Sequence, residues 1–243
     1  MVSEVKFRKL PISHYIKLLE ARTPFAFSRW GDGEWNCILG EKGHNCDNHD
    51  YFFDLGYALT DVLVRNRGYY YGWLNISRVI GEDRILKHIA KNKIETNWVD
   101  GSVFVEAGVA GGLSELFRIL AKRKVAYVGP DYLRKIGRKI NVDILSYVEI
   151  PRINCWNDRD RILTDISRVI RVKKPEVICF SSGMPGKIFI DQSWIEGNKK
   201  ITMIDIGSLF DPFVGVRHRT YHNSFTDDII SKNTRKLNEV DER

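Results

Sequence analysis

The sequence predicts an α/β protein: a doubly wound, mostly parallel Rossmann-like sheet with helices on both faces, in a single domain. Three observations carry that expectation. Apolar runs of strand length alternate with stretches of helical periodicity along most of the chain. Nearly every such run empties into Gly, Ser, Asp or Glu, which suits a sheet that binds ligands outside the carboxyl ends of its strands. At 243 residues the chain is long enough for one large buried core and short for two. The domain is expected over residues 1–223, followed by a polar, loosely held tail or helical arm at 224–243.

Bulk properties narrow the field. Hydrophobic content is 43%, and no apolar run is long enough to cross a bilayer. The opening MVSEVKFRKLPISH lacks the apolar core of a signal peptide, so a cytoplasmic location is expected. Cys37, Cys46, Cys155 and Cys179 lie far apart with no C-x-x-C pair, as reduced thiols do. A net charge of +7 favours an anionic partner: a nucleotide, a nucleic acid or an acidic membrane face. The charge is spread, however, and clusters such as RKIGRK (134–139) and RVKK (171–174) interleave with core residues as solvated helix faces do. With no RNP-like, zinc-finger or helix-turn-helix signature, nucleic acid is not an expected partner, and membrane contact is at most peripheral.

Taken in order, an amphipathic helix is expected at 11–20, a strand at 24–28 and a polar loop at LGEKGHNCDNHD. His44, Cys46 and His49 in that loop miss the spacing of structural zinc, and a mobile loop that covers substrate is the better reading. A helix follows over 50–66, an aromatic strand at GYYYGWL (68–74) and a helix over 77–92. VFVEAG reads as a strand rich in β-branched residues, GGLSELFRILAKR as a helix and KVAYVGP as the next strand, which closes a β-α-β unit. DYLRKI reads as a short helix and ILSYVEIP as a strand. Asn157 is placed to cap a helix over 158–172, where the dipole accounts for Asp158 and Asp160 without a metal. VICFSSGMPGKI and ITMIDIGSLFDPF read as strands that run into glycine turns.

Four stretches carry chemistry. In FAFSRWGDGEWN, glycines flank Asp32 and leave the backbone open to a ligand, and Asp32 and Glu34 point the same way if the chain there is extended. Two hard oxygen ligands with Arg29 and Gly31 just upstream suit Mg²⁺ or Mn²⁺ shared with a phosphate-bearing substrate; an acidic turn is the bland alternative. VFVEAGVAGG, with Glu106, Gly108 and Gly111 ahead of Ser114, is close to the nucleotide-end motif of S-adenosylmethionine methyltransferases. SSGMPGK lacks the order of a P-loop, yet Ser182, Gly183 and Lys187 offer donors to a diphosphate. GVRHRTYH gathers Arg217, His218, Arg219 and His222, which would complement a diphosphate or phosphate, or form a plain basic loop.

In this order the stretches resemble the GT-D class of glycosyltransferases, a bacterial family first catalogued as a domain of unknown function. SRWGDGEW resembles its Asp-x-Glu metal element, VFVEAGVAGGLSELF its glutamate-glycine segment and helix start, and KVAYVGPDYLRKI its strand ending in proline. ICFSSGMPGKIFIDQSW and ITMIDIGSLFDPF resemble its Gly-Pro turn and its Ile-Asp-Ile-Gly strand. Departures are Ser208 where the family has His, Val109 where it has Arg, and Ser114-Glu115 in place of Asn-Asp.

The resemblance implies a nucleoside-diphosphate sugar donor, UDP-linked first of all, and a glycan, glycoprotein or lipid-linked acceptor. It implies Mn²⁺ or Mg²⁺ on Asp32 and Glu34, with Arg29 and Arg217 or Arg219 on the leaving diphosphate. Gly108, Gly111, Gly129 and Ser182 would lie against the nucleotide. If the reaction inverts the anomeric centre, Asp211, Glu106 and Asp205 are the candidates for proton acceptor, with Asp205 equally able to cap its turn. A methyltransferase and a non-catalytic nucleotide-sugar-binding module are the other readings.

Overall fold

A computed structural model describes residues 7–74 and 81–235. Its elements alternate as the sequence pattern predicts: α1 (Ile12–Glu20), β1 (Ala26–Trp30), α2 (Asp32–Ile38), α3 (Phe53–Arg65), β2 (Tyr70–Trp73), α4 (Glu82–Lys91), β3 (Trp98–Asp100), α5 (Val103–Val109) and α6 (Ser114–Leu120). Then come β4 (Val125–Pro130), α7 (Ile136–Lys139), β5 (Ile144–Ile150), α8 (Arg159–Lys173), β6 (Val177–Phe180), α9 (Gly186–Glu196), β7 (Thr202–Asp205) and α10 (Asp227–Thr234). The seven strands form one sheet in the order β3-β2-β1-β7-β6-β4-β5, and every pairing in it is parallel.

Burial alternates along the strands because successive side chains point to opposite faces. In β4, Ala126 and Val128 join the core on one side, while Val125 and Tyr127 join that on the other. The first core is closed by α2, α3, α8 and α9 through residues such as Trp35, Leu59, Ile166 and Phe189. The second is closed by α1, α5, α6 and α7 through Tyr15, Phe104, Phe117 and Ile136. Every residue of β4, β6 and β7 is buried, as expected for parallel strands covered on both faces. The doubly wound, parallel α/β expectation therefore holds.

Local chemistry explains most boundaries. Leu55, Leu59, Val62 and Leu63 form the buried stripe of α3, and α2 packs so close to it that a Cβ on Gly56 would stand 2.4 Å from the carbonyl oxygen of Cys37. α9 has no polar stripe over its first half, since residues 186–191 are all buried against β1, β7 and the neighbouring helices.

Three expectations need correction. VFVEAG is not a strand: it is helix α5, and the strand is Trp98–Asp100, separated from it by Gly101 and Ser102. The β-branched run serves instead as the buried face of α5, and Gly101 turns the chain where its Cβ would sit 2.8 Å from the backbone of Gly72. Asp32 and Glu34 do not lie on extended chain but in the first turn of α2, which starts immediately after Gly31. Asn157 does not cap α8; a 3-10 turn at Cys155–Asp158 delivers the chain into it. The helix expected over 77–92 is described as α4 from Glu82, its first residues lying outside the described part. In the region expected as a tail, α10 is docked: Phe225 and Asn233 are fully buried, and Asn233 donates to the Gly108 carbonyl and accepts from the Leu113 N–H, at 2.8 and 2.9 Å. No helix among the described residues is long and apolar enough to cross a membrane.

Candidate active site

The carboxyl ends of β1, β4, β6 and β7 lie side by side, and two arrangements of charged groups occupy them. The first is closed. Lys187, 4% exposed on α9, spends its three protons on Glu34 Oε1 at 2.6 Å, Asp205 Oδ2 at 3.1 Å and the Gly183 carbonyl at 3.1 Å. Glu34 Oε2 accepts from the Gly31 N–H at 2.9 Å. Asp205 accepts in addition from the Arg29 N–H and the Gly207 N–H, at 3.0 and 3.1 Å. Burial by itself would lower the Lys187 pKa, but Asp205 and Glu34 outweigh it and hold the ammonium above its ordinary value. Burial likewise acts to raise Glu34, and Lys187 with the Gly31 amide holds it below the usual carboxylate range. This knot ties β1, α2, β7 and the turn ahead of α9 together. Arg29 completes it from below, donating to the Ile206 carbonyl at 3.2 Å; Gly207, at φ +56°, lies over that guanidinium, where a Cβ would be 2.4 Å from Nη1.

The second arrangement is open. A cavity of about 320 Å³ lies over β4, β6 and β7. Its floor is the turn Ser181–Ser182–Gly183, which leads into α9. The Ser181 hydroxyl is pinned by Tyr127 and by the Gly207 carbonyl, each at 2.7 Å. Ser182 Oγ is buried and makes no hydrogen bond. One wall carries Tyr132, Ile150, Pro151 and Arg152, with the Arg152 guanidinium over the Tyr132 ring. The other carries Ser208, Asp211, His218 and Arg219.

Asp211 is 1% exposed, and burial pushes its carboxyl up to about 7 despite a hydrogen bond from Tyr132. Its Oδ2 accepts no hydrogen bond, and His218 Nε2 stands 3.2 Å away. His222 is a brace: Nε2 donates to the Ser208 carbonyl at 2.9 Å and Nδ1 accepts from the His218 N–H at 3.3 Å. Burial lowers its pKa to about 4, which keeps the ring neutral.

The loop at 39–52 roofs the cavity, with Cys46, Asp47, Asn48 and His49 facing inward. Arg219 grips it through Asp47 and Cys46. Asn154 grips the other end, donating to Asp50 Oδ2 at 2.6 Å and, from its backbone N–H, to His49 Nδ1 at 3.1 Å. The covering loop expected from sequence is thus strapped down on both sides.

Of the residues expected at the site, Ser182, Gly183, Asp211 and Arg219 line the cavity. Gly129 lies in β4 one residue short of cavity-lining Pro130. Lys187, Glu34, Asp205, Arg29 and Gly31 form the knot beneath it. Arg217 donates to the carbonyls of His222 and Phe225, both at 2.6 Å, and braces the loop that carries His218 and Arg219. Asp32 is half-buried at the start of α2, without a hydrogen bond or ion pair among the described residues. Glu106 lies elsewhere, on a groove shared with Leu10, Pro11 and Asp100. Gly108 and Gly111 face Phe225 and Lys232, not the cavity, and Ser114 opens α6 in the layer behind.

Asp47, Tyr132, Arg152 and Ser208 were not singled out as site residues from sequence; only the resemblance pointed to Ser208, as a departure.

Comparison with solved structures decides the fold's relatives. A structure of the domain of unknown function 1792 superposes with a TM-score of 0.63 at 17% identity, over 84% of this chain and 79% of that one. The chain has the DUF1792 fold. A second such structure, described as a distinct glycosyltransferase fold, gives a TM-score of 0.61 at 16% identity over 84% and 79% of the two chains. A DUF1792 glycosyltransferase from Streptococcus sanguinis gives 0.59 at 16% identity over 85% and 83%. By sequence, no family model and no curated protein matches the chain.

Proposed function

We propose that this protein is a glycosyltransferase that takes a nucleoside-diphosphate sugar, UDP-linked in the first instance, into the cavity over β4, β6 and β7. The observation that carries the reading is the turn at 181–183. It precedes a helix of eleven residues, whose N-terminal dipole favours an anion, and it holds a buried hydroxyl, Ser182 Oγ, with no partner of its own. A buried hydroxyl left without a partner in the turn that leads to a helix N-terminus is suited to a diphosphate. Arg219, which lines the same cavity, adds positive charge for the departing nucleotide, and Tyr132 with Arg152 offers a flat face to a base. The fold shared with proteins described as glycosyltransferases supports the same reading. The acceptor is a hydroxyl-bearing glycan, glycoprotein or lipid-linked sugar.

The implied metal pair, Asp32 and Glu34, does not suit a cation in this arrangement, because both oxygens of Glu34 are already bound. Of the three carboxylates considered as proton acceptor, Asp205 is saturated within the knot and Glu106 lies on another groove, so neither reaches a molecule in the cavity, whereas Asp211 lines it. The methyltransferase alternative needs a strand at 103–108 ahead of its glycine loop, and there the chain is helical.

Calorimetric titration of UDP, UDP-sugars and S-adenosylmethionine tests the reading. UDP or a UDP-sugar should bind, and Ser182→Ala should weaken it with the fold intact. Binding of S-adenosylmethionine alone would replace it with the methyltransferase.

A further inference from the structure

We infer that Asp211 and His218, joined by Asp47 from the roof loop, form a divalent-cation site on the wall of the cavity. The inference deepens the donor-site reading by naming the cofactor site within it, and it departs from the Asp-x-Glu position that the resemblance implies.

Three observations meet at one point. Asp211 Oδ2 is buried and accepts no hydrogen bond, although a desolvated carboxylate oxygen left bare is costly. His218 Nε2 lies 3.2 Å from it and 3.7 Å from Asp47 Oδ1, so an imidazole nitrogen stands between two carboxylates from separate segments of the chain. All three residues line the cavity.

The surroundings hold these groups as outer partners hold metal ligands. Tyr132 donates to the other Asp211 oxygen at 3.3 Å. His222 accepts the His218 backbone N–H and is anchored in turn on Ser208. Ligand-capable atoms of Asp211, His218 and His222 fall within 4.8 Å of one another, but His222 spends both nitrogens on its brace, and Asp47 is the ligand with an oxygen free to turn.

Two carboxylates and one imidazole make a mixed oxygen and nitrogen donor set. Mg²⁺ favours oxygen alone, so the imidazole shifts preference toward Mn²⁺. A cation held by three side chains would have coordination positions left for phosphate oxygens. Bound there, it would supply positive charge to the proposed diphosphate. Asp47 is also the residue that Arg219 grips, so a cation that recruits Asp47 frees Arg219 for the anion.

The test is titration of Mn²⁺ into the metal-stripped full chain without nucleotide, with free Mn²⁺ read by electron paramagnetic resonance. One site should fill in the wild type. His218→Ala, at a half-exposed position where folding is not at stake, should weaken it about tenfold or more; Asp211→Asn should do the same, and Asp32→Asn should leave it unchanged. Failure of the wild type to bind Mn²⁺, or loss with Asp32→Asn and none with His218→Ala, overturns the inference. UDP titrated in EDTA separates the two proposals. UDP binding without any Mn²⁺ site defeats the cation site alone, whereas Mn²⁺ binding without affinity for any nucleotide defeats the donor reading alone.

Discussion

The knot and the cavity wall use the same residue types a few ångströms apart, to opposite ends. In the knot, Glu34, Lys187 and Asp205 satisfy one another and the surrounding amides completely. Around the cavity, Asp211 Oδ2 and Ser182 Oγ are as deeply buried but make no hydrogen bond. The difference teaches that a buried charge with every bond filled is scaffold, and one with a bond missing is a candidate for binding. The sequence motif around Asp32 and Glu34 builds the platform, and the unsatisfied groups belong to residues that line the cavity.

The comparison breaks most readily at Lys187. Lys187→Met leaves two buried carboxylates without their cation and should cost about 3–5 kcal/mol in urea unfolding; wild-type stability would make the knot dispensable. Acid–base behaviour should differ in sign between the two regions. Glu34 has a depressed pKa in the fold, so the stability it contributes is present above its unfolded value and disappears as pH falls through its folded one. Asp211, raised to about 7, works the other way: the folded state holds its proton longer, so stability falls as pH rises from about 4 to 7. In EDTA, Asp211→Asn should therefore become more stable than wild type toward pH 7 and above, and the gain should vanish near pH 4.

The arginine pair sharpens the contrast on a smaller scale. Arg217→Ala removes two braces to backbone carbonyls and should cost about 1–2 kcal/mol. Arg219→Ala, whose partners lie on the roof loop, should change stability by less than about 1 kcal/mol and weaken UDP binding. Smallest of all, Ser182→Ala removes a hydroxyl without a partner and should leave stability within about 0.5 kcal/mol of wild type, its effect appearing in nucleotide affinity.

Much of the fold was legible because parallel strands are short apolar runs closed by polar turns, and Val177–Phe180 and Thr202–Asp205 announce themselves that way. The misses have physical causes. Trp98–Asp100 is too short to show a period, and the β-branched run after it satisfies a helix because one face of α5 packs into the core. At the site, the turn at 181–183 and the cation cluster at 217–222 were readable from composition. The reversal at Asp32 and Glu34 was not, because only the third dimension brings Lys187 onto Glu34 from 153 positions later in the chain. Asp47 was hidden for the same reason: a loop residue becomes a site residue only when Arg219 and Asn154 fold the loop over the cavity.

Strand order carries a last consequence, for how the chain acquires its shape during synthesis. β7 is the final strand of the described chain, yet it lies in the middle of the sheet, with β1 on one side and β6 on the other. Until it is made, β3-β2-β1 and β6-β4-β5 are two separate ribbons, each with an unpaired inner edge that invites a wrong partner. Joining them closes the contact between Phe27 and Ile204, a long loop whose entropy slows folding. The strand that delivers Asp205 to the knot also fuses the two ribbons, so the binding floor cannot exist before the sheet is whole.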